Sequence, residues 1–250
     1  MTGGAGFIGS NLCEALANLG RDVTILDNLS SGTRDNLREI LKSSSVKLIL
    51  GDCKDPADVK KAIANADIVY HFAANPEVRL ELSNPPTCFR ENVYATHILL
   101  EAIKHSNVDT IVFASTSTVY GDAKIIPTPE NYTPLEPISI YGASKLASEA
   151  LITSYCHTYK KKAVILRLAN IVGPRSKHGV INDFIAKLRG NPRELEILGD
   201  GRQTKSYLHV DDCVNAIMKA FETAKEIVEV FNVGSDDQID VAHIGEIVAE

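Results

Sequence analysis

The chain has 250 residues, of which 44% are hydrophobic and 23% are charged, enough for a sizeable buried core. A net charge of −6 at pH 7 argues against nucleic acid or an anionic membrane surface as a partner, and no apolar run approaches the length of a membrane span. The five cysteines form no C-x-x-C pair, so neither a disulfide framework nor a metal site is expected, and the cytoplasm is the predicted location.

Short β-branched runs alternate with amphipathic stretches along the chain, which is the pattern of βαβ units in a parallel sheet. We predict strands at 22–27, 46–50, 67–72, 110–115 and 163–168. We predict helices at 11–19, 34–42, 55–64, 87–105 and 141–160. The proline-rich segment 118–139 is predicted to be a long functional loop. Later helices at 180–188, 211–223 and 241–249 are expected to alternate with short strands near Glu196, Tyr207 and Phe231.

The first nine residues contain a glycine pattern typical of phosphate binding. Gly4, Gly6 and Gly9 fit G-x-G-x-x-G, and Gly3 replaces Gly4 in a looser G-x-x-G-x-x-G. Glycines let the backbone turn tightly and approach a pyrophosphate, which then lies on the N-terminus of the following helix. Such a loop normally follows a buried central strand, whereas only Met1 and Thr2 precede it here. We therefore expect residues upstream of Met1 that this sequence lacks.

Asp27 is the last residue of the predicted strand at 22–27 and lies 18 residues after Gly9 in the sequence. In a dinucleotide-binding fold, an acid at this position accepts hydrogen bonds from the adenosine ribose hydroxyls and repels a 2′-phosphate. The combination favours NAD over NADP. The alternative is that Asp27 only caps the turn before Asn28.

Together these features predict an α/β protein: a Rossmann-type, doubly wound parallel sheet at 1–168 with its first strand largely absent, and a smaller, truncated substrate lobe at 169–250. Some elements of that lobe are expected to return to the sheet.

Tyr141 and Lys145 are four residues apart on a predicted helix, so their side chains share one face. A tyrosine with an ordinary pKa of about 10 is a poor base at neutral pH, but an adjacent cation favours its phenolate. The pair is therefore a candidate for general base catalysis. Pairs with this spacing are common on helices, so their position directly after the predicted strand at 110–115 and the long loop carries the assignment.

Several ordered motifs resemble the extended short-chain dehydrogenase/reductase family, and within it the NAD-dependent nucleotide-sugar epimerases of the UDP-glucose 4-epimerase type. The matching segments are 2–10, 27–30, 51–52, 71–74, 115–121, 141–145 and 167–174. The resemblance extends to about Gly234. It implies NAD as cofactor, a UDP-sugar as substrate and a homodimer paired through the helices at 87–105 and 141–160.

The resemblance also implies roles for individual residues. The implied catalytic residues are Thr116, Tyr141 and Lys145. The implied cofactor-binding residues are Gly3, Gly6, Phe7, Ile8, Gly9, Asp27, Asn28, Ser31, Gly32, Asp52, Cys53, Phe72, Ala73, Ala74, Asn92, Tyr141 and Lys145. The implied substrate-binding residues are Thr116, Asn170, Lys205 and Tyr207. For Cys53 and Asn92, a role in the core is an equally open interpretation.

Some positions depart from the family pattern. Lys205 stands where the family usually has an arginine, so a point charge replaces a bidentate fork at the diphosphate. Pro76 takes the place of a lysine that contacts the cofactor in some epimerases. The related 4,6-dehydratases carry an Asp-Glu pair after the catalytic threonine, whereas this chain has Ser117 and Thr118. Dehydration is therefore not expected.

The expected reaction is epimerisation at C4 of UDP-glucose or UDP-galactose through a transient 4-keto sugar. Another nucleotide-sugar epimerase, or a decarboxylase acting on UDP-glucuronate, stays open because Arg175, His178 and Arg193 could bind a sugar carboxylate. A catalytically silent NAD-binding regulator is the alternative from a different class, although it would not need an intact set of catalytic residues.

Overall fold

The computed structural model describes residues 1–75 and 84–250. The strands are β1 (Val23–Asp27), β2 (Val46–Leu50), β3 (Ile68–His71), β4 (Thr110–Thr116), β5 (Lys162–Leu168), β6 (Asn170–Val172), β7 (Thr204–Lys205), β8 (Tyr207–His209), β9 (Val228–Val233) and β10 (Ile239–Asp240). The α-helices are α1 (Phe7–Asn18), α2 (Pro56–Ile63), α3 (Ala95–Ile103), α4 (Ile140–Tyr159), α5 (Val180–Gly190), α6 (Val210–Thr223) and α7 (Val241–Ala249). A short helix, Pro86–Cys88, and a π-helical segment, Phe89–Tyr94, lead directly into α3.

The central sheet is parallel throughout. β2 pairs with β1, and β3, β4, β5 and β9 follow one another as hydrogen-bonded neighbours. Helices cover both faces of this sheet. One apolar cluster contains Val59 of α2, Leu99 of α3 and Ile152 of α4, and another contains Leu12 of α1 and Ile217 of α6. The predicted doubly wound α/β fold is confirmed.

Residues Met1–Gly3 lie between β1 and β3, where the first strand of this fold belongs. Thr2 forms parallel bridges with Leu26 and His71. Its amide donates to the carbonyl of Tyr70 at 2.9 Å, and the amide of Leu26 donates to the carbonyl of Met1 at 2.8 Å. Short as it is, this segment therefore provides hydrogen bonds to both flanking strands and joins β1 to the rest of the sheet.

The sequence signal at the start of α2 is found in the structure, and part of the carboxyl-terminal region returns to the central sheet. Asp55 caps α2 by accepting a hydrogen bond from the amide of Ala57, and Pro56 occupies the first turn, as predicted from the sequence. From the carboxyl-terminal part of the chain, β9 pairs in parallel with β5, and α6 packs against the sheet beside α1. The smaller pairs β6–β8 and β7–β10 lie outside the central sheet.

Two predicted elements differ in the structure. The predicted helix at 34–42 is two 3₁₀ turns, Arg34–Leu37 and Ile40–Lys42, because Leu37 and Ile40 are drawn into the cluster under β1 and β2 while Asn36 bonds the carbonyl of Ala5. The predicted strand near Glu196 is wrong. Leu195 and Ile197 pack toward Phe184 and Gly245, so their alternation reflects packing against helices. Among the described residues, no helix is long and apolar enough to cross a membrane.

Candidate active site

The glycine loop joins the Met1–Gly3 segment to α1. Gly3 has φ +69°, and a Cβ at this position would lie 2.5 Å from the amide nitrogen of Ala73, so glycine is required by conformation and by space. The first turn of α1 contains no acidic residue, which leaves its amide groups and positive dipole end available to an anion. The loop can therefore accept a phosphate group, as the sequence predicted.

Asp27 lies at the carboxyl end of β1 and is buried. Its Oδ2 accepts a hydrogen bond from the amide of Ala5 at 2.8 Å, and its Oδ1 accepts one from the amide of Leu29 at 2.8 Å. Two carboxylate oxygens offer about four acceptor positions, so each oxygen retains capacity for a hydroxyl donor. Asp27 thus both caps the turn, as the alternative interpretation held, and presents acceptors to a ligand.

A first cavity of about 360 Å³ opens at the ends of β1, β2 and β3. The predicted cofactor residues that line it are Gly3, Asp27, Asn28, Ser31, Asp52, Cys53, Ala73 and Ala74. Two further residues, Lys54 and Glu91, line this cavity without any local signal in the sequence. The ammonium of Lys54 lies 2.6 Å from Glu91 and 3.1 Å from Asp52. Burial by itself lowers the pKa of Lys54. The hydrogen bonds with Glu91 and Asp52 have the larger combined effect, so the pKa of Lys54 is raised.

Thr116 is the last residue of β4, and Tyr141 lies in the first turn of α4. Ser139 caps α4 by accepting from the amide of Gly142 at 2.9 Å. A Cβ on Gly142 would lie 2.9 Å from the carbonyl oxygen of Thr118, so this glycine allows the start of α4 to approach the chain that follows β4. The phenol of Tyr141 thereby comes close enough to the hydroxyl of Thr116 for this hydroxyl to favour the phenolate.

Lys145 is buried one helical turn beyond Tyr141, and its ammonium lies 4.2 Å from the centre of the Phe113 ring. The expected lowering of the Tyr141 pKa by this cation is not found. Burial, followed by the nearby Cys88, raises the pKa of Tyr141 to about 12, although the hydroxyl of Thr116 acts in the opposite direction. Burial also lowers the pKa of Lys145 to about 7, against the attraction of Glu149. Lys145 therefore carries only part of a charge near neutrality, which explains the difference.

A second, larger cavity of about 650 Å³ runs from the glycine loop to the carboxyl-terminal part of the chain. It is lined by residues from all three predicted classes. These are Gly3, Phe7, Ile8, Gly9, Ser31, Phe72, Ala74, Thr116, Tyr141, Lys145, Asn170, Lys205 and Tyr207. His178 lines both cavities and lies where they adjoin. Residues as far apart in sequence as Gly3 and Tyr207 are thus brought to one continuous site.

Three predicted cofactor residues line neither cavity. Gly6 is the N-cap of α1, and a Cβ on Gly32 would lie 2.5 Å from the backbone of Ala5, so both act on the shape of the loop. Asn92 is buried in the π-helical segment. Its Oδ1 accepts from the amide of Asn75 at 2.8 Å, and its Nδ2 donates to the hydroxyl of Ser144 at 2.9 Å. Pro76 lies outside the described residues.

A salt bridge missed by the sequence analysis links the edge of the second cavity to α1. The guanidinium of Arg175 contacts the carboxylate of Glu14 at 2.5 Å and donates to the hydroxyl of Ser10 at 3.4 Å. Arg175 has φ +74°, an unusual conformation for a residue with a side chain.

Within the described ranges, no group of three or more His, Cys, Asp or Glu side chains could hold a metal ion.

The donors and acceptors in these cavities fit a dinucleotide. The free amides at the start of α1 suit a pyrophosphate, and Asp27 suits the hydroxyls of a ribose at the far end of the first cavity. Thr116, Tyr141 and Lys145 line the second cavity together with the glycine loop. The reacting end of a dinucleotide would accordingly lie beside groups that can accept and donate protons.

Comparisons with known proteins agree with this geometry. The profile of the NAD dependent epimerase/dehydratase family matches residues 1–234. A putative UDP-glucose 4-epimerase of Methanocaldococcus jannaschii is 35% identical over 254 residues, which cover 99% of this chain and 80% of that protein. The crystal structure of a UDP-galactose 4-epimerase shares 47% identity with a TM-score of 0.89, covering 99% of this chain and 80% of that one.

A dehydratase is also among the similar structures. The dTDP-glucose 4,6-dehydratase of Streptomyces venezuelae, solved with NAD bound, has a TM-score of 0.92 and 28% identity, covering 99% of this chain and 78% of that one. Epimerases and dehydratases therefore share this fold and this cofactor. The chain belongs to the NAD-dependent epimerase/dehydratase family, and NAD is its cofactor.

Proposed function

We propose that the protein interconverts UDP-galactose and UDP-glucose by epimerisation at C4 of the sugar. The observation that carries the proposal is the second cavity, which joins the glycine loop, the Thr116–Tyr141 pair and the candidate nucleotide-sugar residues Asn170, Lys205 and Tyr207. The likeness to a UDP-galactose 4-epimerase at 47% identity supports this substrate class.

In the proposed reaction, the glycine loop and Asp27 would hold NAD, which would supply the acceptor and donor for the hydride of C4. Tyr141 takes the proton of the sugar 4-hydroxyl through its phenolate, a minor form because burial raises the pKa of the phenol to about 12, and later gives the proton back. Thr116 holds the same hydroxyl through a hydrogen bond, and its contact with Tyr141 brings the two groups to one substrate atom. The sugar becomes a transient 4-ketose that must turn between the two steps. Lys145 favours the phenolate to the extent that it is protonated.

The residues after Thr116 favour epimerisation over dehydration. Elimination of water requires an acid and a base beside the 4-keto sugar, and Ser117 and Thr118 provide neither. The amide of Thr118 donates to the hydroxyl oxygen of Thr116 at 3.2 Å, so this segment orients the catalytic threonine. A dehydratase-like chain at this position would present carboxylates.

Tyr141→Phe tests the proposal directly. We expect UDP-galactose to UDP-glucose conversion to fall by about 10²–10⁴-fold, the usual contribution of a positioned acid or base. Tyr159→Phe, at the exposed end of the same helix, is the matched control and should retain full activity. Undiminished activity in Tyr141→Phe would overturn the mechanism.

A substrate panel tests the choice of sugar. UDP-galactose, UDP-glucose, their N-acetylated forms, UDP-glucuronate and dTDP-glucose would be assayed by product analysis. We expect the first two to interconvert fastest. Faster turnover of an N-acetylated sugar, loss of CO₂ from UDP-glucuronate or formation of a 4-keto-6-deoxy sugar from dTDP-glucose would each replace the proposed substrate.

The proposal includes a cytoplasmic homodimer. All five cysteines are buried thiols, as expected of a protein in a reducing compartment. Ala143, Ala147 and Ala150 are exposed along α4, where small side chains would permit close approach of a second copy.

A further inference from the structure

A buried ion pair lies behind the candidate catalytic residues. The side chains of Glu149 on α4 and Arg167 on β5 are 7% and 6% exposed. Arg167 donates from Nη2 to Oε2 of Glu149 at 2.8 Å and from Nε to Oε1 at 3.2 Å. Burying two charges is expensive, and such pairs are often no more stabilising than apolar residues of the same shape. Such a pair can therefore serve a role other than stability.

The same pair connects the chain segments that carry the catalytic groups. The hydroxyl of Ser115, which directly precedes Thr116, donates to Oε1 of Glu149. Arg167 donates to the hydroxyl of Tyr120 at 3.0 Å and to the carbonyl of Glu130 at 3.1 Å. One carboxylate and one guanidinium thus join α4, the end of β4 and the long loop at 118–139.

Glu149 also shares a helix face with the catalytic pair. Tyr141, Lys145 and Glu149 follow one another at intervals of four residues on α4, so Lys145 lies between the phenol and the carboxylate. On β4, Phe113 and Ser115 alternate onto one face; Phe113 contacts Lys145, and Ser115 contacts Glu149. Burial favours a neutral amine, whereas the face of the Phe113 ring and the carboxylate one turn away favour an ammonium.

We propose that Glu149 is a positioning residue: its carboxylate holds α4 against the end of β4 and supplies a negative charge that favours the ammonium form of Lys145 beside Tyr141. The significance for catalysis rests on the proposed function, whereas the effect on Lys145 does not. Arg167 holds Glu149 in place and moderates its charge.

The other groups around Lys145 are consistent with this assignment. His71 on β3 contacts the same Phe113 ring as Lys145, and burial, followed by the charge of Lys145, lowers the pKa of the imidazole to about 3. His71 is therefore neutral at the pH where Lys145 titrates. Tyr141 remains a neutral phenol below its raised pKa, and burial lowers the pKa of Lys145 to about 7 while Glu149 opposes that shift. Arg167 is paired directly with Glu149.

The experiment is a titration of Lys145 in the protein as isolated. The ¹³Cε signal of Lys145 would be followed by NMR in lysine-labelled protein and assigned with Lys145→Met. In Glu149→Gln, which keeps the size of the side chain and removes the charge, we expect the titration midpoint to fall by roughly one pH unit or more. In Arg167→Met, which leaves the carboxylate without its guanidinium, we expect the midpoint to rise.

Opposite shifts are the signature of the proposal. A purely structural role would loosen α4 in both variants and admit water, so both midpoints would rise toward the ordinary lysine value. An unchanged or higher midpoint in Glu149→Gln would overturn the proposal. Glu101→Gln on α3, where the carboxylate is exposed and bonds Lys104 and Tyr155, is the matched control and should leave the Lys145 signal unchanged.

If Glu149→Gln does not fold, as judged by circular dichroism, Glu149→Asp replaces it. This variant keeps the charge and moves it away from Lys145, so the midpoint should lie below that of the wild type, and an equal midpoint would contradict the proposal. Because the titration needs neither substrate nor turnover, its result stands even if the protein fails to convert any UDP-sugar.

Discussion

The hydroxyl of Thr2 lies 2.7 Å from Nδ1 of His71, a buried hydrogen bond between the segment that begins the glycine loop and the end of β3. The other ring nitrogen, Nε2, lies 2.9 Å from the hydroxyl of Thr96. Thr96 itself donates to the carbonyl of Asn92 at 2.6 Å, so its oxygen must accept from Nε2–H. Nδ1 consequently accepts from Thr2, and the imidazole is held in one neutral tautomer.

This neutral His71 predicts a loss of stability in acid. Burial lowers its pKa to about 3 in the folded chain, whereas the unfolded chain titrates near 6.5. Between these values the unfolded state binds the additional proton, so the free energy of unfolding falls as pH decreases, by up to about 1.4 kcal/mol per pH unit. This contribution is fully present above pH 6.5.

Urea unfolding at a series of pH values from about 7 to 4 would measure this effect. His71→Asn has no group to titrate, so the stability difference between wild type and variant should shrink as pH falls. His157→Asn, at an exposed position on α4, should run parallel to the wild type. A parallel curve for His71→Asn would show that His71 does not titrate on unfolding.

Gly3→Ala should destabilise the chain and abolish NAD binding, because its Cβ would collide with Ala73 at 2.5 Å in addition to straining φ. We expect a loss of about 3 kcal/mol or more. Gly20 has φ +72° with nothing within 4 Å of its Cβ position, so Gly20→Ala isolates the conformational strain, about 1 kcal/mol. Thermal melts and calorimetric titration with NAD would check both variants, and equal losses would refute the steric argument.

Asn92→Ala should reduce stability by about 2 kcal/mol or more, because it leaves the amide of Asn75 without its acceptor and the hydroxyl of Ser144 without a donor. Since Ser144 donates in turn to the carbonyl of Tyr141 at 2.7 Å, we also expect a lower kcat. Asn191→Ala at an exposed loop position is the control for denaturant unfolding and steady-state kinetics. A raised KM with unchanged kcat would instead indicate a role in binding alone.

Lys205→Met should raise the KM for a UDP-sugar by about tenfold with a smaller effect on kcat, because an exposed ammonium attracts the diphosphate as a point charge. The difference between variant and wild type should diminish at high salt. Lys205→Arg should retain a low KM, since a guanidinium can bind two phosphate oxygens. Steady-state kinetics at two ionic strengths would decide, and salt-independent KM values would argue against a role in charge recognition.

Ala147→Arg should convert a homodimer into a monomer, because Ala147 is exposed on the face of α4 that we propose to pair. Ala64→Arg, at an exposed position at the end of α2, should leave the assembly unchanged. Sedimentation velocity would measure both. A wild-type chain that sediments as a monomer would refute the dimer at once.

Local chemistry in the sequence was sufficient for the fold class and for assigning the candidate cofactor residues to their elements. The alternation of β-branched runs with amphipathic stretches predicted the order of the elements, because periodicity reports which face of each element is buried. The glycines before α1 and the acid at the end of β1 could be placed because each has a local conformational or positional reason. Near Glu196, the alternation of apolar and polar residues led to a wrong strand prediction, because the apolar side chains pack against helices and not against a neighbouring strand.

Only the tertiary structure decided how distant groups act on each other. Lys145 lies over Phe113, so burial determines its charge more than its spacing from Tyr141 does. Glu149 and Arg167 are 18 residues apart and become partners only because α4 packs on β5. Sequence determines which groups are present and which element carries them. Their protonation depends on the dielectric environment and on neighbours that folding brings together.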